Sequence, residues 1–347
     1  MASTDPIIVL DNGSDTCKAR YGGDGIPQVV VRTIHAEEKV RNITELSKNK
    51  YVGDTALNNP MLNIHHPIKR GIIENSDEME KISEFILHNQ LKIEQKKYPV
   101  IVCEPPENWK ITREKMVEVF FEKFDVPHIC LRNQTALVLE TKNVDTGIVL
   151  ICEHEVTYTV PVASGCAMTH AIGHLDFAGK DLTDYFIKLL NKRGYSFEST
   201  TERENARVMK ELSCSIGLKI NKTEALQSKS SRGKYNFPSY SIGDEADKCS
   251  EILFDPKDVG RNRGIHQILI DSIVKCDISI QQELCNNIIL DGGTTNIQGF
   301  RDRLQEELQA LAINQIHIYD GVPEKRQYVP RLGASMLSTS PNLKDFW

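Results

Sequence analysis

The sequence predicts an α/β protein built from two related halves. An apolar run at 7–10 enters a polar turn at 11–15, and a second apolar run at 147–150 enters a polar turn at 152–155. Each turn is followed by a return strand and then by mixed helical and strand segments. Two such units, about 140 residues apart, indicate a duplicated fold whose halves face each other across a cleft.

Composition is that of an ordinary globular protein. The chain has 347 residues, 40% of them hydrophobic, and a net charge of −6, which favours about two domains and gives no reason to expect nucleic-acid binding. The nine cysteines contain no Cys-x-x-Cys pair, which argues against disulfides or zinc and for a reducing compartment. Without an apolar run of ~20 residues or a secretory leader, we expect a cytoplasmic protein with no membrane partner; a nuclear location stays open.

The first turn has the composition of an anion site. Gly13 lets the backbone approach a ligand, and successive N–H groups in such a turn form a nest for phosphate oxygens. Lys18 on the return strand adds a positive charge. Most Asn-Gly turns only join two strands, so a plain hairpin is the alternative.

Apolar spacing predicts several helices. Residues 112–124 carry apolar side chains at i, i+4 and i+8, with Thr112 as the N-cap, and a strong helical pattern begins at Leu182. The segment 291–295 is a glycine turn between a buried strand and a helix. Such a turn is a natural anion site. Taken alone, however, this segment is better interpreted as a turn that only connects a strand to a helix.

Several stretches together closely resemble the actin family, nearly end to end from about residue 7 to residue 347. So many motifs in the right order leave little room for coincidence, and GKDLTDY and RGYSF separate the chain from sugar kinases and chaperone ATPases of the same clan. The matching stretches are DNGS with Lys18 (11–18), YVGD (51–54), PIKRGII (67–73), REKM (113–116), TGIVL (146–150), GKDLTDY (179–185), RGYSF (193–197), KCDI (275–278) and DGGTT (291–295).

The resemblance implies the actin-like α/β fold, with four subdomains around a central nucleotide cleft. A small outer lobe would grip a neighbour in the filament. The expected parts are a first large subdomain at 1–34, 67–141 and 325–347, the small outer lobe at 35–66, a second large subdomain at 142–178 and 262–324, and a second small lobe at 179–261.

The resemblance also implies which residues face the nucleotide. Gln134 would lie at the hinge and position the attacking water, and Lys210 and Glu211 would lie beside the ribose and base. The implied ligand is ATP or ADP with Mg²⁺ or Ca²⁺, although the residues themselves establish neither a cofactor nor a metal site. The retained cofactor-binding positions are Asp11, Asn12, Gly13, Ser14, Lys18, Gly179, Lys210, Glu211, Gly292, Gly293 and Thr294.

The second turn departs from the family pattern Asp-Ser-Gly-Asp-Gly. Its five positions hold Ile151, Cys152, Glu153, His154 and Glu155, so both glycines and both metal-side aspartates are lost. Like charges ~4 Å apart repel by about 1 kcal/mol in bulk-like solvent and by more in a shielded cleft. A solvated polar turn is the favoured interpretation, and a metal bound by glutamate oxygen is the alternative.

Other departures affect catalysis. The position of the family's catalytic histidine holds Tyr158, which cannot act as a base at neutral pH without a large change of pKa. Asp15 replaces an expected glycine and adds another negative charge near the phosphates, and Gln327 replaces an expected lysine near the base. Phosphoryl transfer needs a held metal and an oriented nucleophile. Because the substitutions affect both requirements, the sequence favours a protein without enzymatic activity over an active ATPase.

Three hypotheses of function follow. The first is a divergent actin-related structural subunit of a larger cytoskeletal or other macromolecular assembly, with a degenerate nucleotide site and no or minimal ATP hydrolysis. Its partners would be proteins of an axonemal or dynein-associated, filament-capping or chromatin-remodelling complex, or actin itself, and not nucleic acid directly. The second is an active divergent actin that hydrolyses ATP and forms filaments. The third keeps the nucleotide as a static ligand.

Two basic segments are expected contacts for acidic partners, with simple solvation as the alternative. They are the tip 260–264, which replaces a largely apolar plug of the family, and the stretch 222–234.

Overall fold

The structure is a computed structural model. It describes residues 7–22, 27–38, 51–57, 61–217, 242–311, 315–319 and 323–338. The basic stretch 222–234 and residues 39–50 of the expected outer lobe lie outside these ranges. The chain divides into two compact units, unit 1 with Met1–Val144 and Tyr328–Trp347, and unit 2 with Asp145–Gln327. The finer division into four subdomains stays a prediction.

The strands of unit 1 are β1 (Ile8–Asn12), β2 (Thr16–Tyr21), β3 (Val29–Arg32), β4 (His35–Glu38), β5 (Tyr51–Val52), β6 (Leu62–His65), β7 (Ile68–Lys69), β8 (Ile72–Ile73), β9 (Val100–Glu104) and β10 (Ile129–Asn133). The main sheet has the order β10-β9-β1-β2-β3. Strand β1 pairs antiparallel with β2 and parallel with β9. Because both faces of β1 are covered, its sequence is an unbroken apolar run and not an alternation.

The strands of unit 2 are β11 (Gly147–Cys152), β12 (Thr157–Ala163), β13 (Cys166–Ala167), β14 (Gly173–Leu175), β15 (Ile288–Asp291) and β16 (Ile318–Tyr319). They form one sheet in the order β13-β12-β11-β15-β16, with β14 beside β12. Strand β11 pairs antiparallel with β12 and parallel with β15. This order matches that of unit 1, so the prediction of two related halves is confirmed.

The α-helices of the described residues are α1 (Asp54–Leu57), α2 (Ser76–Glu84), α3 (Lys110–Glu118), α4 (Gln134–Glu140), α5 (Gly179–Asn191), α6 (Thr200–Ser213), α7 (Glu245–Glu251), α8 (Ile265–Val274), α9 (Ile278–Asn286), α10 (Phe300–Ala310) and α11 (Val329–Ser338). Helices α2 and α3 continue into π-helical turns at Phe85–Gln90 and Val119–Lys123. The N-cap of α3 is Trp109 and not Thr112, which lies buried inside the helix. Sequence reasoning missed this start because Trp109 offers no capping oxygen. None of the described helices is long and apolar enough to cross a bilayer.

Each unit buries its own apolar core. In unit 1, one face of the main sheet packs against α2 and α3 through residues such as Ile82 and Met116. The other face meets Leu137 of α4 and Ala334 of α11. The core of unit 2 includes Phe186 among its helical residues. The nine cysteines are all free thiols, eight of them buried.

A buried arginine joins charged residues in unit 2. The Arg303 side chain is 3% exposed. Its Nη1 donates to the two carboxylate oxygens of Glu251 at 2.9 and 3.0 Å, and its Nε donates to Glu307 at 2.8 Å. The guanidinium also lies 5.2 Å from the centre of the Phe254 ring. Each buried charge therefore depends on the others for compensation.

We expect Arg303→Met to lower the free energy of unfolding by about 3–5 kcal/mol, because it leaves two carboxylates without their buried counter-ion. Urea unfolding followed by tryptophan fluorescence measures the change. The matched control is Arg203→Met, which removes a half-exposed pair with Asp184 and should cost no more than about 1 kcal/mol. Equal losses in the two variants would contradict this assignment.

Candidate functional site

The hairpin of unit 1 turns at Gly13–Asp15, between β1 and β2. The Gly13 N–H donates to the Thr16 carbonyl at 3.2 Å, and the Gly13 carbonyl accepts from the Thr33 hydroxyl at 2.7 Å. A Cβ at Gly13 would lie 2.9 Å from the Thr16 oxygen. Glycine is therefore needed to close the turn itself, whatever lies above it.

The predicted anion ligands of this hairpin have partners within the chain. Lys18 and Asp11 lie opposite each other on β2 and β1, and the Lys18 Nζ donates to Asp11 Oδ2 at 3.0 Å. Asn12 ends β1. The Ser14 hydroxyl accepts from the Gly71 N–H at 3.0 Å. The turn is thus held in shape by its own polar groups.

Asp15 was expected to add an uncompensated negative charge. In the structure its carboxylate accepts from Arg32 Nη1 at 2.5 Å. The Arg32 Nε also lies 3.7 Å from a carboxylate oxygen of Asp54. Because Arg32 neutralises it, Asp15 opposes an anion much less than the sequence alone indicated.

Unit 1 also contains a buried cation that sequence reasoning missed. Arg331 of α11 is fully buried and lies over the Tyr328 ring, 5.6 Å from its centre. Burial lowers the pKa of its guanidinium, and the nearby Asp11 carboxylate opposes that change. An arginine between Pro330 and Leu332, in a helix with several buried apolar residues, was the only available signal.

Gln134, the predicted water-positioning residue, is the first residue of α4. The Asn133 side chain caps the helix by accepting from the Thr135 N–H at 2.9 Å. The Gln134 side chain is buried, with 6% of the residue exposed. Its position at the end of β10 is therefore fixed by a capped helix start.

The hairpin of unit 2 closes in the same way as that of unit 1. Ile151 and Cys152 belong to β11, so the turn proper is 153–156. The Glu153 N–H donates to the Val156 carbonyl at 3.1 Å. Burial raises the pKa of Cys152 to about 12, so this side chain is a neutral thiol. Loss of the family's two glycines has left the turn intact.

The turn of unit 2 binds the N-terminus of α5. The Glu153 carbonyl accepts from the Gly179 N–H at 3.1 Å, and the His154 carbonyl accepts from the Lys180 N–H at 2.6 Å. The Lys180 Nζ donates to the Glu155 carboxylate, also at 2.6 Å. A helix N-terminus with a lysine is a natural anion site, and here the chain's own oxygens occupy it.

Other predicted residues gather around this joint. The Thr294 hydroxyl donates to the Glu153 carbonyl at 2.6 Å, and the buried Lys210 donates to the Gly179 carbonyl at 2.7 Å. Gly292 has a φ of +88°, and a Cβ there would lie 2.3 Å from the Cys152 carbonyl. Gly292, Thr294, Gly179 and Lys210 therefore hold the turn, and each has a structural role.

Three predicted residues lie away from these contacts. Glu211 accepts from Arg207 at 2.5 Å. Gly293 is exposed and begins a short 3₁₀ turn. The Gln327 side chain accepts from Asn296 at 3.5 Å. The structure assigns none of them to the turn of residues 153–156.

Tyr158, at the position expected to hold a histidine, is 2% exposed. Its ring centre lies 4.7 Å from that of His174 on the neighbouring strand β14. The His174 Nε2 lies 3.2 Å from a carboxylate oxygen of Asp176. Sequence reasoning missed His174, because only the pairing of β12 with β14 brings it next to Tyr158.

The basic tip 260–264 folds onto its own unit. Arg261 donates to the Asp176 carbonyl at 2.6 Å and lies 5.0 Å from the centre of the Phe177 ring. Arg263 pairs with Asp271. Both arginines thus already have intramolecular partners.

These contacts test whether a metal-bound nucleotide fits. Within the described residues, no three His, Cys, Asp or Glu side chains are grouped as metal ligands would be. A phosphate at the N-terminus of α5 would have to displace the Glu153 and His154 carbonyls and approach the Glu155 carboxylate. The start of α5 and the turn of residues 153–156 therefore do not fit a phosphate group, whereas unit 1 retains a hairpin with Lys18 close to the turn.

Two sheets of the same strand order, each with a hairpin closed by a backbone hydrogen bond from the N–H of one residue to the carbonyl three residues later, define a duplicated α/β fold. The family model for actin matches residues 3–347. The chain therefore belongs to the actin family, and its fold is actin-like.

We expect Gly292→Ala to lower the apparent melting temperature much more than Gly165→Ala. Both glycines have a positive φ, but a Cβ at Gly165 meets nothing within 4 Å. The control should show only backbone strain of about 1–2 kcal/mol, while the clash with Cys152 adds about 1–3 kcal/mol. Equal decreases of the melting temperature in the two variants would show that the close approach of Gly292 to β11 does not contribute to stability.

Proposed function

We propose that this chain is a divergent actin-related structural subunit of a larger cytoskeletal or other macromolecular assembly, with a degenerate nucleotide site and no or minimal ATP hydrolysis. The observation that carries the proposal is the occupation of the α5 N-terminus by the turn of residues 153–156. Two backbone carbonyls and the Glu155 carboxylate take the N–H groups and the Lys180 ammonium that an anionic ligand would use.

Electrostatics support this proposal. Glu153 and Glu155 add two carboxylates to the turn, and the Glu155 carboxylate already holds the Lys180 ammonium at 2.6 Å. At an effective dielectric constant of about 20, two like charges 4 Å apart repel by roughly 4 kcal/mol. A polyphosphate near this turn would meet that repulsion and would also have to separate Glu155 from Lys180.

The requirements for catalysis also support no or minimal ATP hydrolysis. A hydrolytic water needs an oriented base or acceptor, and a tyrosine with an ordinary pKa near 10 is protonated at neutral pH. Tyr158 is packed against the His174 ring, which leaves it a role in the sheet. Slow or absent turnover follows even where a nucleotide binds.

A second function, an active divergent actin that binds and hydrolyses ATP and polymerises, has support in unit 1. Gly13, Lys18 and Gln134 are in place, and Arg32 neutralises Asp15. This arrangement could hold phosphate oxygens from the side of unit 1. The same arrangement is compatible with a nucleotide that is hydrolysed and with one that stays bound without turnover.

The first experiment is a measurement of bound nucleotide. We expect purified full-length chain, denatured and analysed by chromatography, to release far less than one adenine nucleotide per protein, with or without a chelator. Magnesium-dependent phosphate release should be flat and should not change in Gln134→Ala. Stoichiometric nucleotide together with phosphate release that Gln134→Ala abolishes would establish the active alternative.

A charge variant tests the cause. We expect Glu155→Gln to strengthen ATP binding by about tenfold or more, because it removes one negative charge and releases Lys180. Glu94→Gln is the matched control, since Glu94 also pairs with a lysine, Lys97, and lies outside every predicted nucleotide-binding segment. Equal affinities of the two variants in fluorescent-ATP titration would contradict the role given to Glu155.

The proposed partners are other proteins of an axonemal or dynein-associated, filament-capping or chromatin-remodelling complex, or actin itself. If the chain is a subunit of such an assembly, the purified chain alone should stay in the supernatant at micromolar concentration in a sedimentation assay. Filaments in the pellet would favour the polymerising alternative.

A further inference from the structure

Two buried cysteines that no proposed function uses lie close together in unit 2. Cys214 directly follows α6, and Cys249 lies within α7. Residues beside them join the two helices, because the Ser215 hydroxyl donates to Asp247 Oδ1 at 3.0 Å. Both cysteines also belong to the same apolar core. Packing and a hydrogen bond therefore bring the end of α6 and the middle of α7 to one place.

The two thiols are in contact with each other. Burial raises the pKa of the Cys249 thiol, and a side-chain hydrogen bond with Cys214 raises it further. The Cys249 Sγ also donates to the Leu182 carbonyl at 3.2 Å. By contrast, the thiol of Cys276 donates to the Ser272 carbonyl of its own helix. Cys214 and Cys249 are thus arranged as a dithiol, and not only as two core residues.

The two cysteines differ in access to solvent. Cys249 is 0% exposed and Cys214 is 7% exposed. The backbone of Cys214 is extended, with φ −70° and ψ 141°, and its N–H donates to the Lys210 carbonyl at 2.9 Å. Cys214 therefore lies at the end of α6, where local opening uncovers a thiol most easily. A dissolved oxidant reaches Cys214 before it reaches Cys249.

A lysine adds a positive charge near the pair. The Lys210 ammonium lowers the pKa of Cys249, against the larger effect of burial, while its Nζ donates to the Gly179 carbonyl at 2.7 Å. A nearby cation favours the thiolate, which is the nucleophilic form of cysteine. Burial thus opposes oxidation of the pair and Lys210 favours it, so a strong oxidant is needed.

We propose that Cys214 and Cys249 are a site of reversible modification, at which a peroxide converts two thiols into a disulfide. The Cys214 thiolate attacks a peroxide oxygen, the O–O bond breaks, and a sulfenic acid and one water form. The Cys249 thiolate then attacks the sulfenic sulfur, so that the S–S bond forms and the oxygen leaves as a second water. Two thiols are oxidised, and one hydrogen peroxide is reduced to two waters.

The disulfide joins the end of α6 to α7. Lys210 lies one helical turn before Cys214 and holds the Gly179 carbonyl at the start of α5. The link therefore forms one turn away from a contact that positions α5. In a reducing compartment, thiol–disulfide exchange returns the pair to two thiols.

The test uses the full chain, with the exposed Cys166 replaced by serine so that its own oxidation does not interfere. The chain is treated with excess hydrogen peroxide, and the remaining thiols are then alkylated. We expect non-reducing peptide mapping to find a disulfide between the peptides that carry Cys214 and Cys249, and dithiothreitol to restore both thiols. Absence of this disulfide, or a disulfide between other cysteines in its place, would overturn the proposal.

Two variants of that chain separate the roles of the two thiols. In Cys249→Ser the sulfenic acid at Cys214 has no second thiol to react with, so dimedone should trap it. In Cys214→Ser we expect Cys249 to stay reduced, because it is fully buried. Cys276→Ser is the matched control, since Cys276 is also buried, and it should form the same disulfide as the parent chain.

Equal trapping at Cys214 with and without Cys249, or loss of the disulfide in a folded Cys276→Ser variant, would contradict the proposal. If a serine variant does not fold, as a thermal melt would show, the peptide map of the chain that retains both cysteines decides alone. None of these measurements depends on the nucleotide content of the chain, so this inference and the proposed function can fail separately.

Discussion

The carbonyl oxygen of Glu153 connects three segments of unit 2 by hydrogen bonds. It accepts from the Gly179 N–H at 3.1 Å and from the Thr294 hydroxyl at 2.6 Å, so one backbone atom joins the hairpin, the start of α5 and the turn after β15. Gly292 comes so close to the Cys152 backbone that no side chain fits. Because backbone atoms make most of this joint, the side chains at 153–155 can change without loss of the fold.

The two hairpins therefore share a shape and differ in charge. Their turns close with equivalent hydrogen bonds of 3.2 and 3.1 Å. In unit 1 the acids Asp11 and Asp15 each face a cation, Lys18 and Arg32. In unit 2 the turn contributes two glutamates, and its cation Lys180 is already taken. The hairpin of unit 2 thus keeps the closing hydrogen bond while its charges differ from those of unit 1.

Local patterns predicted much of the fold, and distant partners account for the rest. The paired hairpins and the long helices follow from apolar spacing and turn composition, which act over a few residues. Asp15 was misjudged because its partner Arg32 lies 17 residues away, and the pair of Lys180 with Glu155 spans 25 residues. The start of α3 was missed because Trp109 is an N-cap without a capping side chain. Local patterns in a single sequence do not predict such tertiary contacts or a helix start without a capping side chain.

Retained motif residues consequently carry less functional weight than altered ones. Gly292 is required by its backbone conformation, and Lys210 and Thr294 hold the hairpin and α5 in place. These residues would be needed for folding even if no nucleotide were ever bound. Glu155 pairs with Lys180, but closure of the turn does not require a glutamate at 153 or 155, since the turn closes through its backbone. Function in this chain must therefore be inferred from the positions whose side chains the fold leaves free to vary.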